Sequence, residues 1–400
     1  MAARCFLRRW GSLYAATAFL LMAYSAGAQS NEHSNAPAAA ISLTSPLDFQ
    51  VFQRSAPLQD RVLIRGQVKD AAGLAGTRVE ARLTGASLHG PLAGNWVRLK
   101  LDEASGSFSG AIKTIPGGFY QCELRLVRAR TAIAQTTVPH VGVGEVFVVA
   151  GQSNATNYGE VKQTTQTGMV TVFSGQAWQL ANDPEPGVQD TSKNGSFIPA
   201  FGDALYRKYH VPIGVAPVGH GSTSVRQWLP AGTSVLVMPT MTRYVTRNAQ
   251  NELVFDGTLF NGMMKRIDQL GKHGFRALLW HQGESDAHQA PEHSITPDQY
   301  RNMMIELIRS SRKQAGWNFP WIVAEATYHS PQDPSDAGVE EAQRSLWQSG
   351  IALEGPNTDT LGSEYRQNHG AGVHFSDAGL KAHGALWAEA VERYLDQILR

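Results

Sequence analysis

From residue 41 to about residue 141, apolar and polar positions alternate in short runs: RVLIRGQV, TRVEARLTG, WVRLKLD, GSFSGAIKTI, FYQCELRLVRA and IAQTTVP. A period of two puts one face of each run in a core and the other in water. Glycine, proline and Asp/Asn turns separate the runs, so residues 41–141 are expected to form a small antiparallel β-sandwich. Trp96 and Tyr120 lie in this region and would either stack on a ligand or fill the core.

From Gly142 the rhythm changes. Short apolar runs at Val146–Ala150, Pro212–Val218, Arg276–His281, Trp321–Ala326 and Gly350–Glu354 read as parallel strands buried on both faces. Longer stretches between them carry a helical period. Thr296-Pro297-Asp298-Gln299 is a capping box with proline at the first helical position, and Tyr300, Met303, Met304, Leu307 and Ile308 follow as one apolar stripe. Leu259 to Leu270 gives a second amphipathic helix, and Ser376 caps a last one running through Leu380, Trp387, Val391, Leu395 and Ile398. Strand and helix in alternation predict an α/β domain over residues 142–400, with a doubly wound parallel sheet.

The first residues belong to neither pattern. Arg4, Arg8 and Arg9 precede the apolar run Leu13–Tyr24, and Ala26-Gly27-Ala28 then offers a small-x-small cleavage site. A run this short does not span a bilayer, so residues 1–28 read as a signal peptide, residues 29–40 as a polar linker, and the protein as exported to a periplasmic or extracellular space. Removal of the signal moves the formal charge from +1 to −2 and leaves no integral membrane segment and no basic surface for nucleic acid. Cys5 leaves with it, and Cys122 then has no partner for an internal disulfide and reads as a buried small hydrophobe.

Chemistry is suggested where the first parallel strand stops. VFVVA ends at Gly151, and Ser153 follows at the carboxyl end of the strand, where an open α/β sheet binds its ligands. Three further stretches fall at similar places: PVGHGSTSVRQW (217–228), LLWHQGESDA (278–287) and GVHFS (372–376). Glycines and small hydroxyls in the first let the backbone approach a ligand. An amide such as that of Gln282 is a neutral donor suited to an oxygen that gains charge, and an imidazole such as that of His374 accepts a serine proton near neutral pH.

In this order the four stretches, beginning with GQSN, resemble the blocks of the SGNH hydrolases, specifically the carbohydrate esterases grouped with sialate O-acetylesterases. The resemblance runs from Gly142 to the C-terminus. It implies a flavodoxin-like three-layer α/β/α domain, with Ser153 as nucleophile and His374 as base. The backbone amides of Ser153 and Gly221 and the Gln282 side chain would form the oxyanion hole. The usual Asp three residues before the histidine is Ala371 here, and His220 stands where a second glycine often occurs. Asp359, Glu364, Glu284 or a main-chain carbonyl are then the candidates to orient His374, unless a Ser/His dyad suffices.

The implied activity is removal of O-acetyl groups from an acetylated oligo- or polysaccharide through an acetyl-enzyme on Ser153. No cofactor is expected, since no Cys/His spacing offers a metal site and no glycine-rich nucleotide fingerprint is present. Trp178, Trp228, Trp280 and Tyr328 are candidates to stack on sugar rings, or to be core. A lipid or small-ester esterase, a transacetylase using the same acyl-enzyme, and a non-catalytic glycan-binding protein with a decayed site are the competing readings.

Overall fold

Val146, Phe147, Val148, Val149 and Ala150 are all fully buried, because both faces of the strand they form are covered. The computed structural model describes residues 40–57, 60–69 and 73–399. The expected signal peptide, and the linker up to residue 39, lie outside the described residues. Across the parallel sheet the strands run Val170–Phe173, Ile213–Pro217, Thr131–Gly151, Ala277–His281, Trp321–Glu325, Leu353–Asn357, and Trp178–Leu180 adds an antiparallel edge. Without the Val170–Leu180 edge hairpin the chain order is 2-1-3-4-5, and the direction of winding reverses beside the Thr131–Gly151 strand. The crevice of such a sheet opens at that reversal, beyond the carboxyl ends of the strands.

Five helices cover the sheet: α1 (Ile198–Tyr209), α2 (Thr258–Leu270), α3 (Pro297–Ala315), α4 (Ala337–Gln348) and α5 (Asp377–Ile398). Alternation along the central strand divides them. Val146, Val148 and Ala150 pack with residues of α2, α3 and α4, whereas Phe147 and Val149 pack with α1 and α5. The capping boxes are formed as read: Thr296 accepts from the Gln299 amide, and Ser376 caps α5. The last strand lies three residues beyond the expected start at Gly350. That glycine takes a left-handed φ of 69°, and the amides of Gly350 and Ile351 cap the end of α4 by bonding to Trp347 and Leu346 carbonyls.

Upstream, a four-stranded antiparallel sheet (Ala40–Ser45, Asp60–Lys69, Ser107–Thr114, Lys100–Leu101) faces Thr77–Thr84, Gly117–Arg128 and the start of the long strand. Val62, Ile64 and Phe108 from one side meet Ala81, Cys122 and Leu124 from the other in one core. Burial pushes the Cys122 thiol up to about 12, as befits a small hydrophobe. The long strand belongs to this core and to the parallel sheet, running unbroken through residues 141 and 142. Where it passes from one to the other, the fully buried Glu145 carboxylate binds Arg54 at 2.6 Å and Arg276 at 2.7 Å. Among the described residues no helix is long and apolar enough to cross a membrane.

Candidate active site

A glycine decides how the central strand ends. Gly151 has φ 130°, and a Cβ there would lie 1.9 Å from the His281 carbonyl oxygen, so no other residue fits. The Gln152 amide donates to that same carbonyl at 2.9 Å, and the chain turns into a short 3-10 turn, Ser153–Ala155. The Gln152 side-chain oxygen accepts from the Ser285 amide at 3.0 Å, which fixes the serine turn to the 282–285 loop. Ser153 is 4% exposed, and its own amide has no acceptor among the described residues.

A cleft of about 410 Å³ opens over this turn, with Ser153, Ser222, Glu284, Ser285 and His374 in its wall. His374 comes from a hairpin that Arg366 and Phe375 close as an antiparallel bridge. Its ring stacks on Tyr158 with centroids 5.0 Å apart, and the side-chain nitrogen Nε2 of Gln367 lies 3.0 Å from Nδ1. The other ring nitrogen, Nε2, has no partner among the described residues. Burial pushes the imidazole below the ordinary histidine range, the Glu284 carboxylate works against this, and the Arg366 guanidinium adds to it.

The donors expected for an oxyanion are placed otherwise. The Gly221 amide donates to Asp190 Oδ2 at 2.7 Å and is not offered to the cleft. A glycine is required there for packing, because a Cβ would sit 2.6 Å from the Tyr158 ring. Gln282 is fully buried; its amide nitrogen donates to Asp286 Oδ2 at 2.7 Å and to the Thr223 carbonyl at 3.1 Å, while its oxygen accepts from Tyr300 Oη at 3.0 Å. Turning that amide over would set its oxygen against the Asp286 carboxylate, so its orientation is fixed. Asp286 also accepts from Ser224 Oγ and the Val225 amide and pairs with buried Arg226 at 3.3 Å, which ties the 217–228 loop to the 278–287 loop. Gln282 thus builds the site from behind. Ser222, which the sequence reading passed over, lies in the cleft wall with φ 59° and an amide without an acceptor among the described residues.

Neither Asp359 nor Glu364 reaches His374. Asp359 is committed to the Thr327 amide and hydroxyl and the Tyr328 amide, and Glu364 is exposed beside Gly362. Glu284 does lie in the cleft wall, held from behind through one oxygen. Its Oε1 accepts from Asn154 at 2.8 Å and faces His281 Nε2 at 3.1 Å, while Oε2 is buried without a partner among the described residues. Burial works to raise this carboxyl, but His281 and Asn154 outweigh it and hold it below the usual carboxylate range. His281 Nδ1 in turn meets His383 Nε2 at 3.1 Å, which also accepts from Trp387 Nε1 at 3.0 Å. Burial, with His281 and Arg366 nearby, pushes His383 well below the ordinary histidine range.

Trp178, Trp228, Trp280 and Tyr328 are buried and serve the core, not a sugar platform. Tyr120 is likewise core, and Trp96 lies under the guanidinium groups of Arg82 and Arg125 at 4.6 and 3.9 Å. Thr240, Gln289 and His329 line the cleft beside Pro239 and Met241. Among the described residues no three His, Cys, Asp or Glu side chains converge to hold a metal ion.

Comparison with known proteins bears on this arrangement. A carbohydrate acetylesterase from Xanthomonas citri superposes with a TM-score of 0.51 at 15% identity, covering 87% of this chain and 73% of its own, which shows a shared fold. A protein from Arabidopsis thaliana aligns at 19% identity and a TM-score of 0.44, over 64% of this chain and 98% of its own. No curated protein sequence matches the chain. The family model for carbohydrate esterases described as sialic acid-specific acetylesterases matches residues 143–393, a span that holds Ser153, the 217–228 and 278–287 loops and His374. The chain belongs to that family of carbohydrate acetylesterases and is a carboxylic ester hydrolase that acts on carbohydrate acetyl groups.

Proposed function

We propose that the protein is an exported serine O-acetylesterase working through an acetyl-enzyme on Ser153. The observation that carries this reading is that Ser153, at a turn only glycine permits, and His374, with Nε2 unpartnered, share the wall of one cleft. His374 takes the Oγ proton as Ser153 attacks the acetyl carbonyl carbon. The oxyanion is met by the amides of Ser153 and Ser222, which stand in the cleft wall and have no acceptor among the described residues. The bond to the sugar oxygen then breaks, and that oxygen leaves with the proton from His374. Water adds to the acetyl-enzyme by the same route, acetate departs, and Ser153 regains its proton. Residues 41–141 serve as a β-sandwich module packed on the catalytic part through the shared strand and the Glu145 cluster. Export rests on the arginine-led apolar segment in residues 1–28.

The test is acetate release from acetylated xylan, xyloglucan, pectin and sialic acid, together with a series of esters of increasing acyl length. Wild type should release acetate from one polymer or sugar class and fail on long acyl chains, and Ser153→Ala should lose the activity. Undiminished hydrolysis by Ser153→Ala would sink the acetyl-enzyme reading. A preference for long acyl chains would move the substrate to lipids.

A further inference from the structure

We infer that Gln367 is the positioning residue of the base, its amide oxygen holding Nδ1–H of His374 in the place where an acid is expected and Ala371 stands. The inference rests on the reading of Ser153 and His374 given above. The atom of the Gln367 amide placed 3.0 Å from Nδ1 is Nε2, and neither the oxygen nor the nitrogen of that amide has another partner among the described residues.

The hairpin is shaped to deliver this side chain. Gln367 donates its backbone amide to the His374 carbonyl at 2.9 Å and accepts from the amides of Gly370 and Gly372 at 3.1 and 3.0 Å, so its main chain is wholly committed. Asn368, His369 and Gly370 all take left-handed φ values, which folds the loop back within a few residues. Gly372 leaves the passage open, because a Cβ there would lie 2.4 Å from Gln367 Cγ. From the opposite strand of the hairpin, buried Arg366 donates to the Val373 carbonyl at 2.8 Å and anchors the base of the loop.

An amide can do this work in only one of its two orientations. If its nitrogen donates to Nδ1, the ring proton sits on Nε2 and the imidazole cannot accept from serine. If its oxygen accepts from Nδ1–H, Nε2 is left as the base, as with the Asn of Cys-His-Asn proteases. The productive orientation is the reverse of the one with Nε2 on Nδ1, and because nothing else among the described residues binds the Gln367 amide, turning it over breaks no other hydrogen bond. The groups facing His374 from neighbouring elements are Glu284 and Arg366, of opposite charge, together with the Tyr158 ring. A neutral partner therefore orients the imidazole without adding to either charge.

The experiment is steady-state kinetics against pH on the full chain for wild type, Gln367→Ala, Gln367→Glu, His374→Ala and the double variant Gln367→Ala/His374→Ala. Gln367→Ala should lower kcat by at least ~10-fold with KM little changed, since Gln367 is outside the cleft wall and acts only through the base. Gln367→Glu should restore most of kcat and move the acid limb of kcat/KM to higher pH, because a carboxylate favours the imidazolium. In the His374→Ala background, removal of Gln367 should cost nothing further. The inference is overturned by a wild-type kcat and pH profile in Gln367→Ala, by a Glu variant no better than Ala, or by an equal further loss in the double variant. Wild-type activity in His374→Ala would instead bring down the assignment of the base itself.

Discussion

Two histidines stand near the same end of the sheet, and the one with the carboxylate partner is not the one proposed as the base. His281 closes the Ala277–His281 strand with Nε2 on Glu284 and Nδ1 on His383, so both of its ring nitrogens are committed inside the protein. His374 lies in a loop, keeps a neutral amide on Nδ1, and leaves Nε2 beside the serine cleft without a partner among the described residues. A histidine-carboxylate couple is the usual mark of a catalytic base. Here it marks a buried tie between the 281–284 segment, the serine turn through Asn154, and α5 through His383. What distinguishes a base is an uncommitted nitrogen next to a nucleophile.

The largest effects should separate the two sites by what they damage. His374→Ala should lower kcat by ~10⁴-fold or more while leaving the urea midpoint near that of wild type. His281→Ala should do the reverse: the Glu284 carboxylate is left buried without its imidazole partner, at a cost of ~1–3 kcal/mol or more in stability, and the enzyme still folded should keep measurable turnover. Urea denaturation alongside kcat on both variants checks this. The contrast fails if His281→Ala is inactive at full stability.

How far this contrast was legible in the chain depends on distance along it. Four apolar runs from Val146 to Ala326 gave away four parallel strands, because burial on both faces leaves no polar alternation, whereas the short Val170–Phe173 strand went unread and the half-exposed Leu353–Asn357 strand was read three residues early. The strand after Ala132 was harder to read. IAQTTVP looks terminated by Pro139, yet the strand continues, because the register between Gly117–Arg128 and Thr131–Gly151 shifts at Val138 to Val141 and the proline falls in that bulge. Ser153 and His374 stood out from local cues and block order. Gln367 did not, since its approach to a residue seven positions on depends on three consecutive left-handed residues, two of them not glycine. The commitment of Gly221 to Asp190 and of Gln282 to Asp286 was equally hidden, as each partner is brought in by the fold.

A smaller effect should appear in acid. Burial favours the neutral form of both His374 and His383, so each has a folded pKa below its unfolded value of ~6.5. The folded state then binds fewer protons, and the stability they contribute is whole above ~6.5 and is lost as pH falls through the folded values. Glu284, held low, adds a loss of the same sign below the ordinary carboxylate range. Because only neutral His374 can accept a proton, the acid limb of kcat/KM should also fall below pH ~6.5. Denaturation at a series of pH values checks the stability, and initial rates check the limb. An acid limb above that of a free histidine would contradict the burial argument.

The finest test of the comparison is Gly221→Ala. Its Cβ would meet Tyr158 Cε2 at 2.6 Å, and Cζ and Oη at 2.9 Å, while the amide to Asp190 is retained. Tyr158 is only half-buried, so its ring can give way, but that ring is the face on which His374 stacks. A displaced imidazole should lower kcat by ~10-fold, within the range that sub-ångström misplacement produces, and leave KM and the His281 cluster as they were. Pairing the change with Tyr158→Ala makes the cause explicit. If Gly221 acts through packing, the double variant should be no worse than Tyr158→Ala alone. If it remains much worse, the glycine has a duty in the cleft that its bond to Asp190 conceals. Because the two readings differ only in whether Tyr158 transmits the loss, this one pair of rates decides whether the glycine supports the base or meets the oxyanion.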